Sequence, residues 1–159
     1  MQKKATFLFF TLLVALFFVA ASYYLEFVED LRPCLLCFFQ RWLLILFAVL
    51  AIFALFTPFL LRRIFLIINV FTALLGSVFA IRQIWLQHQP PSQVISCLPD
   101  TAYLVKHVPL PSLVKMAFQG TPDCGVVHER IIFLSLSEWS LLGFVVLLIM
   151  TLLAFKRSK

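Results

Sequence analysis

Hydrophobic positions in this chain fall into four long runs, and each run contains at most one charged residue. A helix that crosses a bilayer needs about 20 mostly apolar residues, and each of these runs is close to that length. We therefore expect four membrane-spanning helices, over residues 5–25, 38–61, 64–85 and 139–155. External loops are expected over 26–37 and 86–138, and a tight turn at Arg62 and Arg63 joins the second helix to the third.

The segment between the third and fourth runs is rich in proline, which argues against a further spanning helix there. Within it, Leu110 to Gln119 has apolar residues on one face and is too short to cross a bilayer. We expect this stretch to form an interfacial helix that lies along the membrane.

A cleaved signal peptide is an alternative for the first apolar run. The apolar core of a signal peptide is only about 7–15 residues long. The first run continues to Leu25 and exceeds that length, so we expect this segment to be retained in the protein.

The composition agrees with a membrane location. Hydrophobic residues make up 63% of the 159 positions and charged residues only 13%, whereas soluble domains keep about a quarter of their residues charged. The mean hydropathy is +1.05. The expected fold class is therefore an all-α membrane protein, a single integral membrane domain over 1–159 built as an antiparallel four-helix transmembrane bundle.

Basic residues are unevenly distributed between the two predicted sides of this bundle. Seven basic and no acidic residues lie at the termini and the tight turn, namely Lys3, Lys4, Arg62, Arg63, Lys156, Arg157 and Lys159. The opposite side holds six basic and seven acidic residues, and the two sets together give the net charge of +6. Because short loops rich in lysine and arginine stay in the cytoplasm, we expect both termini there. The positive charge is thus explained by topology, and no nucleic-acid partner is predicted.

All four cysteines fall on the predicted external side, with Cys34 and Cys37 where the second helix begins and Cys97 and Cys124 in the long loop. Disulfides persist outside the cytoplasm and are rare inside it. Pro33 precedes the C-x-x-C pair, and proline is favoured in a first helical turn. The unpaired N–H groups and the positive dipole end of such a turn stabilise a thiolate. The pattern therefore favours two redox-active pairs.

Two alternatives to redox chemistry remain. A four-cysteine zinc site usually combines two closely spaced pairs, whereas Cys97 and Cys124 are far apart, and the three histidines show no metal-ligand spacing. No metal is therefore predicted. Two inert disulfides would make the chain a non-catalytic membrane scaffold, although a bridge within C-x-x-C closes too small a loop to stabilise the fold much.

Three polar residues lie near the external ends of the predicted helices, and two of them, Arg41 and His88, are candidates for binding. Arg41 lies four residues after Cys37 and shares its helix face, where a guanidinium suits a thiolate and a second anionic oxygen. The alternative for Arg41 is snorkelling to the lipid headgroups. His88 follows the third helix close to the headgroup level, whereas the pattern selects no role for Arg82.

Several motifs together resemble the bacterial disulfide bond formation protein B (DsbB) family. They are Pro33–Cys37 followed by Arg41, then Trp85–His88, Cys97, Gly120–Cys124 and Ser137–Leu141. The resemblance runs over nearly the whole chain, and it implies a multi-pass protein of the bacterial inner membrane whose cysteines are periplasmic. It also implies an enzyme that reoxidises a periplasmic DsbA-like thioredoxin-fold protein and passes the electrons to ubiquinone or menaquinone.

The resemblance assigns a role to each cysteine. The thiolate of the partner would attack Cys97, form a mixed disulfide and release Cys124. Cys124 would then engage Cys34, which leaves Cys37 as the thiolate that faces the quinone. The nearest alternative function is that of a paralogue serving a dedicated partner.

The resemblance also bears on the cofactor site. Arg41 matches the arginine of the family's quinone site, and His88 matches a histidine near that site. This chain has Gln40 where some members carry an acidic residue, so the charge next to Arg41 differs from theirs.

Overall fold

The computed structural model describes residues 2–28, 34–88, 101–119, 130–131 and 133–157. Within these ranges the chain forms six α-helices and one hairpin, namely α1 (Gln2–Phe27), α2 (Leu35–Phe56), α3 (Phe59–Gln87), α4 (Thr101–His107), α5 (Leu110–Gln119), β1 (Arg130–Ile131), β2 (Leu134–Ser135) and α6 (Leu136–Arg157). The strands are antiparallel, with Arg130 opposite Ser135. The all-α prediction is confirmed.

Four of these helices are long and apolar enough to cross a membrane, namely α1, α2, α3 and α6. Their outward faces carry large apolar side chains that no other part of the described chain covers, such as Phe17, Phe56 and Phe71, which are 68%, 85% and 66% exposed. Side chains of this kind are stable on the outside of a bundle only where lipid replaces water. The protein is therefore a multi-pass membrane protein, as the hydrophobic pattern predicts.

The turn between α2 and α3 lies a few residues before the position that the charges suggested. Pro58 is the N-cap of α3, and Thr57 is the C-cap of α2. Arg62 therefore lies inside α3, and its guanidinium donates to the carbonyl oxygens of Ala54 (3.1 Å) and Thr57 (3.2 Å). Those carbonyls have no partner within their own helix, so the arginine acts as a cap on α2 while it belongs to α3.

The four long helices form a closed ring, because α1 and α3 each pack against both α2 and α6. The centre of the ring is filled by side chains such as Phe47 from α2 and Phe144 from α6, which are at most 1% exposed. Gly76 of α3 faces Phe144 so closely that an added Cβ would lie 2.3 Å from the ring. Small residues at such contacts let membrane helices approach each other.

One end of the bundle, where α2 begins and α3 ends, is covered by the short elements, and we call it the cysteine end. Here α5 matches the predicted helix from Leu110 to Gln119, and it buries Leu113 and Ala117 against Leu35 and Leu36 of α2. The sequence patterns did not predict α4 or the hairpin. Through Leu104 and Leu113, α4 and α5 pack over the end of the bundle at which the first cysteine pair lies.

The start of α6 is fixed by a capping box, to which the hairpin contributes Ser135. Ser135 is the last residue of β2, and its backbone N–H donates to Glu138 Oε2 at 2.6 Å, while the N–H of Glu138 donates to Ser135 Oγ at 3.4 Å. This reciprocal pair satisfies two N–H groups at the helix start. Ser137 Oγ also donates to Gln87 Oε1 at 2.7 Å, which ties the start of α6 to the end of α3.

Candidate functional site

The first cysteine pair lies at the N-terminus of α2. Cys34 is the N-cap residue, with extended backbone angles (φ −67°, ψ 167°), and its Sγ accepts a hydrogen bond from the backbone N–H of Cys37 at 3.4 Å. The two Sγ atoms are 3.1 Å apart. That separation is longer than the about 2.05 Å of a disulfide bond, but small enough for a bond to form after a slight movement. The predicted placement of the pair at a helix start is thus observed.

The pair is enclosed mainly by apolar side chains. Cys34 is buried and Cys37 is half-buried, and both belong to a cluster that includes Leu36, Phe79 and Leu86. Phe79 stacks on Phe39 with ring centroids 5.7 Å apart. A thiol pair in such surroundings is shielded from water on the side that faces the bundle, while the half-buried Cys37 keeps an open side.

A buried amide of α3 contacts both sulfur atoms. Gln83 is 4% exposed, and its Nε2 donates to Cys37 Sγ at 3.0 Å and lies 3.6 Å from Cys34 Sγ. Its Oε1 accepts a hydrogen bond from Nε2 of Gln40, one turn after Cys37 on α2, at 2.8 Å. The site therefore contains a chain of two neutral amides that ends at the sulfur atoms.

The guanidinium of Arg41 is directed toward α1. Its Nε donates to Ser22 Oγ at 2.7 Å, its Nη2 donates to the carbonyl oxygen of Ser22 at 3.2 Å, and Nη1 pairs with the carboxylate of Glu26. The guanidinium also lies 4.5 Å from the ring centroid of Tyr23. Arg41 shares a helix face with Cys37, but these contacts place its charge between α1 and α2. Its predicted role at the thiolate stays a prediction.

Arg82 and His88 lie near the end of α3. Arg82 donates through Nε and Nη2 to the carbonyl oxygen of Phe118 at 2.9 and 2.5 Å, and its guanidinium lies over the ring of Trp85. It therefore caps the last turn of α5 and holds that helix against α3. His88 is the exposed C-cap of α3, and its Nδ1 lies 2.8 Å from the carbonyl oxygen of Ile84. Its proposed proximity to a quinone also stays a prediction.

Known proteins resemble this chain over most of its length. The family model described as "Disulfide bond formation protein DsbB" matches residues 3–154. The chain belongs to this family. Disulfide bond formation protein B of Stutzerimonas stutzeri is 36% identical over 80% of this chain and 79% of its own length. Disulfide bond formation protein B 1 of Pseudomonas aeruginosa is 36% identical over 87% of this chain and 86% of its own. Disulfide bond formation protein B of Acinetobacter baylyi is 37% identical over 79% of this chain and 75% of its own length. No solved structure matches the chain.

In this DsbB-family protein the second predicted cysteine pair lies outside the described residues. Cys97 precedes Thr101, the first residue of α4, by four positions, and Cys124 follows Gln119, the last residue of α5, by five. The described part of the chain thus brings together Cys34 and Cys37, and the pairing and roles of the other two remain predictions.

Sequence reasoning missed Gln83, which is the α3 side chain closest to the thiol pair among the contacts described. A signal was available, because an uncharged polar residue inside a predicted spanning helix has to find a hydrogen-bond partner within the bundle. Gln40 carries the same signal and lies three residues after Cys37, on the same face of α2. What the sequence does not contain is the rotation of α2 relative to α3, and that rotation decides that the two glutamines meet.

Proposed function

We propose that this DsbB-family protein is a quinone-dependent thiol oxidase of the bacterial inner membrane. It reoxidises a periplasmic DsbA-type thioredoxin-fold protein through Cys34–Cys37 and Cys97–Cys124 and passes the electrons to ubiquinone or menaquinone. The observation that carries the proposal is the close pair of sulfur atoms, 3.1 Å apart, in the first turn of a membrane-spanning helix. In the proposal the water-soluble partner reacts at the second pair, and a lipid-soluble acceptor takes the electrons at Cys37.

The proposed reaction transfers two electrons and two protons. The partner dithiol becomes a disulfide, and a quinone, when bound, supplies the electron acceptor and is converted to a quinol. In the chain, the partner's thiolate attacks Cys97 to form a mixed disulfide and displaces Cys124 as a thiolate. The second thiol of the partner then attacks the mixed disulfide, which forms the partner's own disulfide and releases Cys97 as a thiolate. Cys124 attacks the Cys34–Cys37 disulfide at Cys34, so that Cys37 leaves as a thiolate and carries the electron pair. Cys97 then attacks Cys124 in the Cys124–Cys34 bridge, which restores the Cys97–Cys124 disulfide and releases Cys34. The reduced first pair gives up two electrons and re-forms its own disulfide.

The side chains around Cys37 suit a flat apolar ring that bears carbonyl oxygens. Phe38, the residue after Cys37 on α2, forms an edge-to-face pair with Trp42, with centroids 6.1 Å apart, and Trp42 is 54% exposed. Arg41, on the next turn after Cys37, has five N–H donors. Three of them bond to Ser22 and Glu26 of α1, and in the proposal another donates to a carbonyl or phenolate oxygen. In the proposal, α2 therefore supplies the apolar contact, the donor and the thiolate together.

Purified protein with a quinone and a reduced DsbA-type protein tests this function directly. Quinone absorbance should fall with wild-type protein and stay constant with Cys37→Ser, which should still trap the partner on Cys97. Cys124→Ala should lengthen the life of the mixed disulfide, because the resolving thiol is absent. Ser77→Ala, whose hydroxyl bonds only within α3 to the Ala73 carbonyl in the described structure, is the matched control and should behave as wild type.

One result would contradict the oxidase function, and another would contradict only the proposed order of electron flow. A wild-type protein that leaves quinone unchanged in the presence of the reduced partner would favour the non-catalytic scaffold with structural disulfides. A partner trapped on Cys34 instead of Cys97 would leave the oxidase in place but reverse the proposed order of electron flow between the two pairs.

A further inference from the structure

The two buried glutamines at the cysteine end form a hydrogen-bonded chain with a defined direction. Gln40 donates to Gln83, and Gln83 donates to Cys37. Both side chains are at least 96% buried, with exposed fractions of 2% and 4%. In this part of the membrane a polar side chain is costly unless its hydrogen bonds are satisfied, so both amides are held where they are by these contacts.

The direction of this chain determines which atom of Gln83 faces the sulfur atoms. With Gln40 Nε2 against its Oε1, Gln83 can only turn its N–H group toward Cys37. If the Gln40 amide were reversed, its oxygen would face Gln83, whose amide would then turn over and present an oxygen to the sulfur. Among the described residues, Gln40 Oε1 is buried without a hydrogen-bond partner. The arrangement thus leaves the Gln40 carbonyl oxygen without a hydrogen bond, while the Gln83 N–H group remains directed at the thiol pair.

A donor at this position discriminates between the two protonation states of Cys37. A hydrogen bond to an ionised acceptor is about twice as strong as one to a neutral acceptor, and low polarity around the pair increases the difference. The N–H group of Gln83 therefore stabilises the thiolate more than the thiol. It does so without a charge of its own, so no buried cation is left when the sulfur is not ionised.

We propose that Gln83 is a catalytic residue that stabilises the Cys37 thiolate by donating to its Sγ, and that Gln40 is the positioning residue that keeps the Gln83 amide turned toward the sulfur. The contribution to turnover rests on the oxidase function proposed above. The effect on the thiol itself does not, because it concerns the reactivity of Cys37 in the reduced protein alone.

The experiment measures how fast Cys37 is alkylated as a function of pH in the full-length reduced protein in detergent, with Cys97→Ser and Cys124→Ser so that one pair remains. Gln83→Met should move the midpoint of the alkylation profile up by about one pH unit, the size expected for the loss of one hydrogen bond to a charged group. Gln40→Met should move it in the same direction by less, because the Gln83 amide is then free to turn.

The double variant separates positioning from an independent effect. If Gln40 acts only through Gln83, adding Gln40→Met to Gln83→Met should produce no further shift, whereas independent effects would add. The matched control is Gln87→Met, one turn further along α3, which removes an amide that bonds to Ser137. Its midpoint should equal that of the reference protein.

The proposal is overturned if Gln83→Met leaves the midpoint unchanged, if Gln87→Met shifts it equally, or if the two glutamine variants are additive. Should Gln83→Met fail to fold, Gln83→Asn keeps an amide but withdraws it by one methylene, and the same upward shift is expected from it. An unchanged midpoint in folded Gln83→Asn would equally refute the proposal.

Steady-state turnover then distinguishes this inference from the proposed function. With intact cysteines, Gln83→Met should lose about tenfold in quinone reduction near neutral pH and recover at a pH above its shifted midpoint, following its thiolate fraction. If wild-type protein reduces no quinone but the alkylation shift is present, the oxidase proposal fails and the role of Gln83 stands. If turnover is normal and the shift is absent, only the role of Gln83 fails.

Discussion

The contact between Gly76 of α3 and Phe144 of α6 makes a sharp prediction about the bundle. In Gly76→Ala, the new Cβ would lie 2.3, 2.4 and 2.6 Å from three atoms of the Phe144 ring, far inside a normal carbon–carbon contact of about 3.5–4.0 Å. Phe144 is 1% exposed, so its ring is enclosed by neighbouring side chains and cannot turn outward without displacing them. The helices have to separate, or the ring has to leave its rotamer.

Gly143 provides the matched comparison, because its added Cβ would meet the ring of Phe18 at 2.9–3.1 Å and Phe18 is only half-buried. Overpacking a core costs roughly 1–3 kcal/mol, while alanine gains up to about 1 kcal/mol over glycine within a helix. The helix gain is common to both variants, so their difference isolates the packing term. We expect Gly76→Ala to be less stable than Gly143→Ala by about 1–2 kcal/mol.

Unfolding in mixed micelles, followed by helical circular dichroism as the denaturing detergent fraction rises, measures this difference. Adding Phe144→Leu to Gly76→Ala should recover part of the loss, since the smaller side chain vacates the space that the Cβ needs. Equal stabilities of Gly76→Ala and Gly143→Ala would refute the tight packing of α3 on α6 described here.

Three further predictions address the cofactor site, the start of α6 and the topology. Arg41→Met should lower quinone reduction about 10- to 100-fold, the effect of losing one charge-assisted hydrogen bond. Arg41→Lys should restore only part of the activity, because lysine has no planar fork of donors. Unchanged steady-state kinetics in Arg41→Met would mean that Arg41 serves only to bond Ser22 and Glu26 of α1. Ser135→Ala should cost about 1 kcal/mol in the same unfolding assay by removing the cap that Glu138 shares, and no loss would argue against the capping box. Reporter fusions should read cytoplasmic after Lys159 and external within α5, and the opposite pattern would place the cysteines in the wrong compartment.

The spanning helices could be predicted because lipid imposes a simple demand on sequence. Each spanning segment has to form a helix that satisfies its own backbone hydrogen bonds, and its side chains have to be apolar over the thickness of the bilayer. The resulting long apolar run can be recognised in the sequence without knowing which helices pack next to it. The α5 helix was predictable for a related reason. Leu113 and Ala117, which the structure buries, recur at the spacing of one helix face.

The turn between α2 and α3 shows where this reasoning ends. The double arginine at positions 62 and 63 suggested a boundary, yet α3 already begins at Phe59, and Arg62 in its first turn reaches back to carbonyl oxygens at the end of α2. Long side chains allow a charge to be separated from its own backbone position by a full helical turn. Charge positions therefore indicate the side of the membrane better than they indicate the residue at which a helix begins.

In the thiol site, the position of the cysteine pair could be predicted from the sequence, whereas its contacts with other helices could not. Cys34 and Cys37 could be placed because their spacing and the helix start are local features. The contact of Gln83 with Cys37, and that of Arg41 with Glu26, each join residues of different helices. Such contacts depend on how far each helix is rotated about its axis, and hydrophobic periodicity is least informative about rotation in spanning helices, where all sides are apolar.

The distribution of charge around the pair follows from what the proposed cycle requires. A thiol pair that alternates between dithiol and disulfide is charged only for part of the time. A cation held permanently against the sulfur atoms would be left buried and unpaired in the neutral states, which is costly at membrane depth. Within the described residues these two needs are met separately, since the charge of Arg41 is paired with Glu26 on α1 and the sulfur atoms receive a neutral donor from Gln83. A neutral amide loses little when the thiolate is absent and gains most when it forms, so it suits a site that has to be stable in both states.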